Sequence, residues 1–314
     1  MGPFVIRRIL NLIPVAMIVL VVTFALIHIA PGNPAYTILG EQATPLAVRL
    51  LDQKMGLDHP LVVQFGSYVV NVLKGNLGSS LLDGQSVTSL ILTRIPVTLE
   101  LAVLAVVVSL LIALPTGILA AYRPNTWIDG VSRLLALVGA AIPNFWLALV
   151  LVYIFAVSFR WLPSLGWTPL NQGVGSNLMH LVLPTIVLAM PLAAVTSRVL
   201  RGELLEVMHL LYIQVARAKG AREWIVVMHH SLRNALIPVV TVIGLQVGGL
   251  LGGVVITESI FSLPGMGQLV VNAIFDRDYP VLQGSVLFMA LVVLLANLAV
   301  DLIYAWVDPR IRYS

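Results

Sequence analysis

The sequence predicts an all-α membrane protein with six transmembrane helices, and three observations predict it. Of 314 residues, 59% are hydrophobic and only 10% are charged, against roughly 25% charged in an average soluble domain. Six stretches reach the roughly 20 mostly apolar residues that a helical span needs. The lysines and arginines are distributed unevenly among the segments between those stretches. A soluble fold of this size must cover its surface with polar groups, and here there are too few. Composition therefore excludes a cytosolic enzyme, a disordered chain and a nucleic-acid binder. The pI of 9.6 accompanies a net charge of only +4. The absence of cysteine removes disulfides, thiolate nucleophiles, Fe–S clusters and Cys-ligated zinc together.

The predicted spans are 9–30, 95–122, 134–159, 180–197, 236–256 and 281–306. Arg7 and Arg8 precede the first, but its apolar run is too long for a cleavable signal and ends without a small-x-small site, so it reads as a retained span. The fourth is short and carries Pro184 and Pro191, which predict a kink. Segment 31–94 is too long for a connector. Its stretch 61–70 reads as a short helix lying against the membrane, ended by Gly75 and Gly78. With the N-terminus inside, the segments 1–8, 123–133, 198–235 and 307–314 hold 12 of the 18 Lys and Arg residues. The positive-inside rule then places both termini in the cytoplasm, and the basic pI is a topology signal.

Segment 198–235 is the informative loop. It holds two helix-like pieces, 203–219 beginning at Glu203 and 223–233, with Gly220 between them in the position of a C′ cap. Ala216 and Ala218 keep the resulting knob slim, and Arg217, Lys219 and Arg222 make it basic. On pattern alone this fits either a solvated hairpin carrying positive-inside charge or a docking element. The chain contains no G-x-x-x-x-G-K-[ST] phosphate loop, and no H-E-x-x-H or nucleophile grouping. Nothing in the sequence points to catalysis.

The run ARAKGAREW (216–224), followed by HHSLRNALIP (229–238), resembles the cytoplasmic signature loop of permease subunits of binding-protein-dependent ABC importers. The resemblance is to the dipeptide/oligopeptide/nickel permease group, and it covers nearly the whole chain. It includes APGNPA (30–35), MGLDHPL (55–61), QFGSYVVNVLKGNLGSS (64–80) and RIPVTLELA (94–102). Further along it includes ITESIFSLPGMGQL (256–269), RDYPVLQG (277–284) and DPRIRYS (308–314). The resemblance implies the type I ABC importer permease fold, with 1–30 as tail and first span, 31–94 as an extracytoplasmic segment and 95–314 as the permease core. It implies a bacterial inner-membrane location and import of di- or oligopeptides, with nickel complexes or haem as alternatives. An ion-coupled secondary transporter would more often show internal repeats and midplane charge.

The same resemblance implies a second, similar permease subunit, two ATPase subunits or one fused ATPase, an extracytoplasmic substrate-binding protein and surrounding lipid. ATP and Mg would be held by the ATPases, with no cofactor on this chain. The loop would be the coupling element, with Glu203, Gln214, Ala216, Arg217, Ala218, Lys219, Gly220 and Arg222 at the ATPase contact. The general family pattern has Glu-Ala-Ala, three residues, then Gly; Gln214 and Val215 stand where the Glu and first Ala would be.

Within the fifth span Gly244, Gly248 and Gly252 fall at i, i+4 and i+8, with Gly249 and Gly253 one residue on. Such a stripe fits either close helix packing or a face that slides along or lines the translocation path. Glu100 and Asp301 are the acidic residues inside predicted spans, and intramembrane carboxylates are functional candidates by default. Glu258, just beyond the fifth span, joins Glu100 on the candidate path. Pro264, Gly265 and Gly267 predict a turn followed by a short helix, which the resemblance puts at the outer mouth. The six histidines are scattered and predict no metal site. A reporter fused at Ser314 is expected to be active only when it matures in the cytoplasm, as paired alkaline phosphatase and fluorescent-protein fusions would read directly.

Overall fold

The computed structural model describes residues 2–29, 34–39 and 43–307. Residues 30–33 of the first family motif, the tail 308–314 and the side chain of Asp301 lie outside them. Among the described residues, regular structure is helical apart from one isolated bridge between Ser79 and Ser86. In chain order the helices are α1 Gly2–Ile29, α2 Pro34–Leu39, α3 Pro45–Met55, α4 Leu61–Leu73, α5 Val87–Tyr122, α6 Trp127–Ala141 and α7 Asn144–Leu151. They continue as α8 Val174–Met208, α9 Leu211–Ala218, α10 Glu223–Ile225, α11 Leu232–Phe261, α12 Met266–Phe275 and α13 Tyr279–Val307. Five helices are long and apolar enough to cross a membrane, and up to seven if each of two bent pairs counts as one span. The six expected spans fall within that range.

Several boundaries follow local chemistry as expected. Thr44 caps α3 by accepting from Ala47 N at 3.3 Å, Pro45 opens the helix, and Gly56 closes it at φ 70°. Helix α4 ends at Leu73, and Gly75 and Gly78 take left-handed φ values of 74° and 88°. Other boundaries differ. Helix α5 begins eight residues before the predicted start at 95. Thr88, Ser89, Thr93 and Arg94 dilute the apolar window there without breaking helical hydrogen bonding.

The predicted span 134–159 is instead two helices bent by 104°. Pro143 has no N–H, and a residue before proline is pushed out of the helical region. Ile142 accordingly sits at φ −73°, ψ 126°. Helix α7 then widens into a π-helical segment, Val152–Ser158. The fourth span is longer than predicted. Helix α8 runs unbroken for 35 residues through Pro184 and Pro191, because packing of its buried face holds it across both missing N–H groups.

The chain divides into two compact units. In the first, Met1–Thr98 with Pro264–Leu295, α4 is latched to α1. The Thr23 and Tyr68 hydroxyls lie 3.0 Å apart, Gln64 Oε1 meets His28 Nε2 at 3.1 Å, and Phe24 meets Phe65 edge-on. Val87, Ile91, Met266, Leu269, Ala273 and Val281 form its core. Asp278, 4% exposed, is the N-cap of α13. Its carboxylate accepts from Ser80 Oγ at 2.5 Å and from Leu81 N at 3.2 Å, tying the 80–83 turn to the cap.

In the second unit, Leu99–Leu263 with Ala296–Ser314, α8 packs against both α6 and α11. Ile118, Ala121, Leu200, Leu204, Val227, Ala235 and Val239 form a shared core. A Cβ on Gly117 would lie 2.9 Å from the Ser197 carbonyl oxygen, so a glycine sets the approach of α5 to α8. Asp129, with no exposed side-chain surface, receives both Nε (2.6 Å) and Nη2 (2.8 Å) of Arg201, and also Asn125 N at 3.0 Å.

Asp278→Ala removes a helix cap and leaves the Ser80 hydroxyl without its acceptor. It is expected to lower stability by about 1–3 kcal/mol in a detergent-micelle thermal melt, with Ser80→Ala costing less.

Candidate functional site

The glycine-turned hairpin forms as the sequence indicates at Gly220 and differs before it. The first piece is not one helix. Helix α8 carries Glu203 to its end at Met208, the chain turns at His209 and Leu210, and α9 starts afresh at Leu211. Gln214 Nε2 donates to the His209 carbonyl at 3.2 Å, so the residue standing in the family's Glu position spends its amide on the preceding turn.

At the other end of α9, Gly220 adopts φ 82°. Its N–H donates to the Arg217 carbonyl at 2.9 Å, and Ala221 N–H reaches the Ala216 carbonyl at 3.2 Å. This pair of bonds is a Schellman closure, which needs a left-handed residue and so favours glycine. A Cβ on Gly220 would meet nothing within 4 Å. The chain's own backbone therefore requires the glycine, and the space beside it is open.

Four contacts make the hairpin rigid. Ile213 is fully buried and pins α9 to the unit. Arg217 grips Glu223 with Nε at 3.1 Å and Nη2 at 2.6 Å, and its Nη1 reaches the Met208 carbonyl at 3.3 Å. Hydrogen bonding to Glu223 raises the Arg217 pKa above its ordinary value, so the guanidinium stays charged. The Tyr212 hydroxyl accepts from Asn234 Nδ2 at 2.7 Å and donates to the His230 carbonyl at 3.3 Å. Trp224 meets Tyr122 edge-on at 5.8 Å. Arg217, expected at the ATPase contact, is bonded within the hairpin while its side chain stays partly exposed. Ala218, Lys219 and Arg222 are exposed and Ala216 is half-buried. Beside them stand exposed apolar side chains, with Leu211 at 79%, Val215 at 52% and Trp224 at 50% exposure.

The glycine stripe divides in two. A Cβ on Gly244 would lie 2.2 Å from Val300 Cγ1, and one on Gly248 would lie 2.8 Å from Asn297 Oδ1, so these two glycines receive α13. Gly253 similarly approaches Asn144 and Leu188. Gly249 and Gly252 have nothing within 4 Å and are exposed.

Glu100 accepts from Trp167 Nε1 at 3.3 Å. Glu258, a candidate for the path or for helix packing, is fully buried. Its carbonyl accepts from Leu263 N at 2.9 Å as the helix ends at Ser262, φ 52°. The expected turn and short helix follow. Pro264 leads into α12, where Gly265 and Gly267 are buried and Met266 N donates to Thr98 Oγ1 at 2.8 Å. Among the described residues no three His, Asp or Glu side chains gather as a metal site.

Sequence reading missed the Asp129–Arg201 pair. A signal was present, since Asp129 is the sole acidic residue between Glu100 and Glu203, and a lone carboxylate beside basic helix ends calls for a partner.

Membrane-length helices around α8, joined to a rigid basic hairpin between α8 and α11, define an integral membrane protein. The comparisons name the family. A family model described as the binding-protein-dependent transport system inner membrane component matches residues 113–313, and the model of the N-terminal segment of such components matches 1–102. The chain belongs to this family and is a permease subunit of a binding-protein-dependent ABC importer, a multi-pass protein of the bacterial inner membrane.

It is 42% identical to the dipeptide transport system permease protein DppB of Alkalihalophilus pseudofirmus, over 99% of both chains. It is 41% identical to a probable peptide ABC transporter permease, y4tP, of Sinorhizobium fredii, over 100% of both. It is also 41% identical to the glutathione transport system permease GsiC of Salmonella typhi, over 99% of both. The inward-facing MetNI methionine ABC transporter contains a chain of similar fold, with TM-score 0.58 at 20% identity, covering 70% of this chain and 96% of that one.

Gly244→Ala is expected to destabilise the protein by about 1–3 kcal/mol through overpacking. Val300→Ala in the same chain should recover much of that loss, and a double-mutant cycle of melting in detergent measures the coupling.

Proposed function

We propose that this permease passes di- and oligopeptides inward by ATP-driven alternating access, and that the hairpin at 211–225 is where a separate ATPase subunit drives it. The single observation that carries this reading is the hairpin. It is rigid within this chain, yet it presents Leu211, Val215, Lys219, Arg222 and the half-exposed outer side of Trp224 outward, a mixed apolar and basic surface. A pushing element has to be stiff, and the burial of Ile213 with the Arg217–Glu223 clamp makes it so. Full-length relatives named for dipeptide, peptide and glutathione transport support a peptide substrate, since glutathione is itself a short peptide.

The assembly in this reading has two similar permease subunits, two ATPases or one fused ATPase holding ATP and Mg, and an extracytoplasmic binding protein that selects the substrate. Both termini and the hairpin face the cytoplasm, where the basic residues concentrate. Segment 31–94 faces outside, and 95–314 forms the permease core. ATP brings the ATPases together, the two hairpins follow, and the cavity opens outward; hydrolysis resets it. Gly249 and Gly252 are the part of the stripe left for the path or the second subunit, and Glu100 is its carboxylate. The turn at Pro264, Gly265 and Gly267 supports the outer mouth from beneath.

Gly220 variants test the coupling. Gly220→Asn tolerates left-handed backbone and should retain ATPase-driven uptake within about threefold, whereas Gly220→Val strains the closure and should lose uptake while the protein remains in the membrane. Trp224→Ala should cut uptake without altering substrate affinity of the binding protein. Normal peptide uptake by Gly220→Val, measured in reconstituted vesicles with matched protein levels, would overturn the assignment.

A further inference from the structure

The second unit contains a cavity of about 340 Å³ between α5, α6 and α8. That is at the lower end of the roughly 300–1,000 Å³ typical of small-molecule sites. Three arginines are among the residues that line it: Arg133 on α6, and Arg198 and Arg201 on α8. Ser132 joins them, while Ala120 and Leu137 supply apolar wall. No other titratable residue lines the cavity.

The charges do not balance. Asp129 is the one carboxylate among these groups, and it is spent on two bonds from Arg201, with Arg133 Nε at 3.6 Å. This grip fixes the Arg201 plane and leaves its Nη1 edge unused. Arg198 has no hydrogen bond or ion pair among the described residues, and Arg133 is 60% exposed. Three cations against one anion leave two positive charges around one cavity, a local excess that attracts an anion. Planar guanidinium forks match the oxygens of a phosphate better than a point charge does.

The surroundings indicate where the phosphate comes from. Leu134, Leu137 and Val138 lie at i, i+3 and i+4 of α6 and are all exposed, so an apolar face begins at the cavity rim and continues along the helix. Trp127, at the start of the same helix, is 77% exposed. An exposed Trp beside apolar helix surface is the signature of the membrane–water interface. A soluble anion would need the guanidiniums and not the apolar face next to them. Basic pockets between membrane helices are suited to anionic lipid head groups.

We propose that this cavity binds the phosphate of an anionic phospholipid, with its acyl chains lying along the Leu134–Leu137–Val138 face of α6. Arg198 and Arg133 contact the phosphate, Arg201 is the pre-set edge held by Asp129, and the Ser132 hydroxyl donates to the head group. The bound lipid would brace α8 against α6 close to where α8 leaves for the hairpin.

Native mass spectrometry of the full-length chain in mild detergent tests this with three probes: phosphatidylglycerol, phosphatidylcholine and inorganic phosphate. One phosphatidylglycerol should be retained about tenfold more strongly than phosphatidylcholine, a preference that Arg133→Gln with Arg198→Gln should abolish, since each arginine near an anionic head group contributes several-fold. The charge-preserving pair Arg133→Lys with Arg198→Lys should keep a preference for phosphatidylglycerol, weakened because an ammonium lacks the guanidinium fork. Equal retention of the two lipids, or an unchanged preference in the Gln pair, overturns the proposal. Loss in both pairs assigns the effect to packing of the side-chain stems and also overturns it. Displacement of phosphatidylglycerol by millimolar inorganic phosphate would make this a site for a free anion, against the lipid assignment.

Discussion

Asp129 is a carboxylate with no exposed surface in a chain that has few charges of any kind. Taking such a group out of water is costly unless it is paired and hydrogen-bonded. Arg201 supplies both bonds, and the Asn125 N–H supplies a third. Much of the second unit is arranged around this arrangement. It fixes the start of α6 to α8 seven residues before α8 ends, a distance of about 10 Å along the helix. The approach of α5 at Gly117 and the shared core of Leu200 and Leu204 lie on the same stretch of α8. The hairpin is therefore attached to a braced helix end, and its own clamps, Ile213 and the Arg217–Glu223 pair, continue that stiffness outward.

How far the sequence could be read depended on whether the cause was local. The first helix, the short α4 with its glycine stop, and the left-handed turn at Gly220 are all decided within a few residues, and all are legible. The break at Ile142–Pro143 is local too, but an apolar window registers hydrophobicity and passes over a missing N–H. Helix α8 reads as short because Arg198, Arg201, Glu203 and Glu206 interrupt the apolar window, although the helix itself continues to Met208. Contacts between distant residues were beyond reach. Asp129 and Arg201 are 72 positions apart, and Trp167 reaches Glu100 across 67.

The glycine stripe shows why a pattern alone leaves two readings open. Small residues at i, i+4 and i+8 permit close approach without saying by what. Gly244 and Gly248 are occupied by Val300 and Asn297 of the same chain, and Gly249 and Gly252 meet no neighbour among the described residues. Both readings of the stripe are therefore retained, on different residues. Glu258, which position alone left open between path and packing, is fully buried.

The Schellman closure at Gly220 bears on how cognate partners are recognised among related sequences. A glycine at this place is required by the chain's own backbone, so its presence reports that the hairpin folds and carries no information about which ATPase it meets. On the proposed coupling role, that information would reside in the outward residues, Leu211, Val215, Lys219, Arg222 and Trp224. Matching a permease to its motor subunit from genome sequences should therefore weigh covariation at these positions and give the signature glycine no weight.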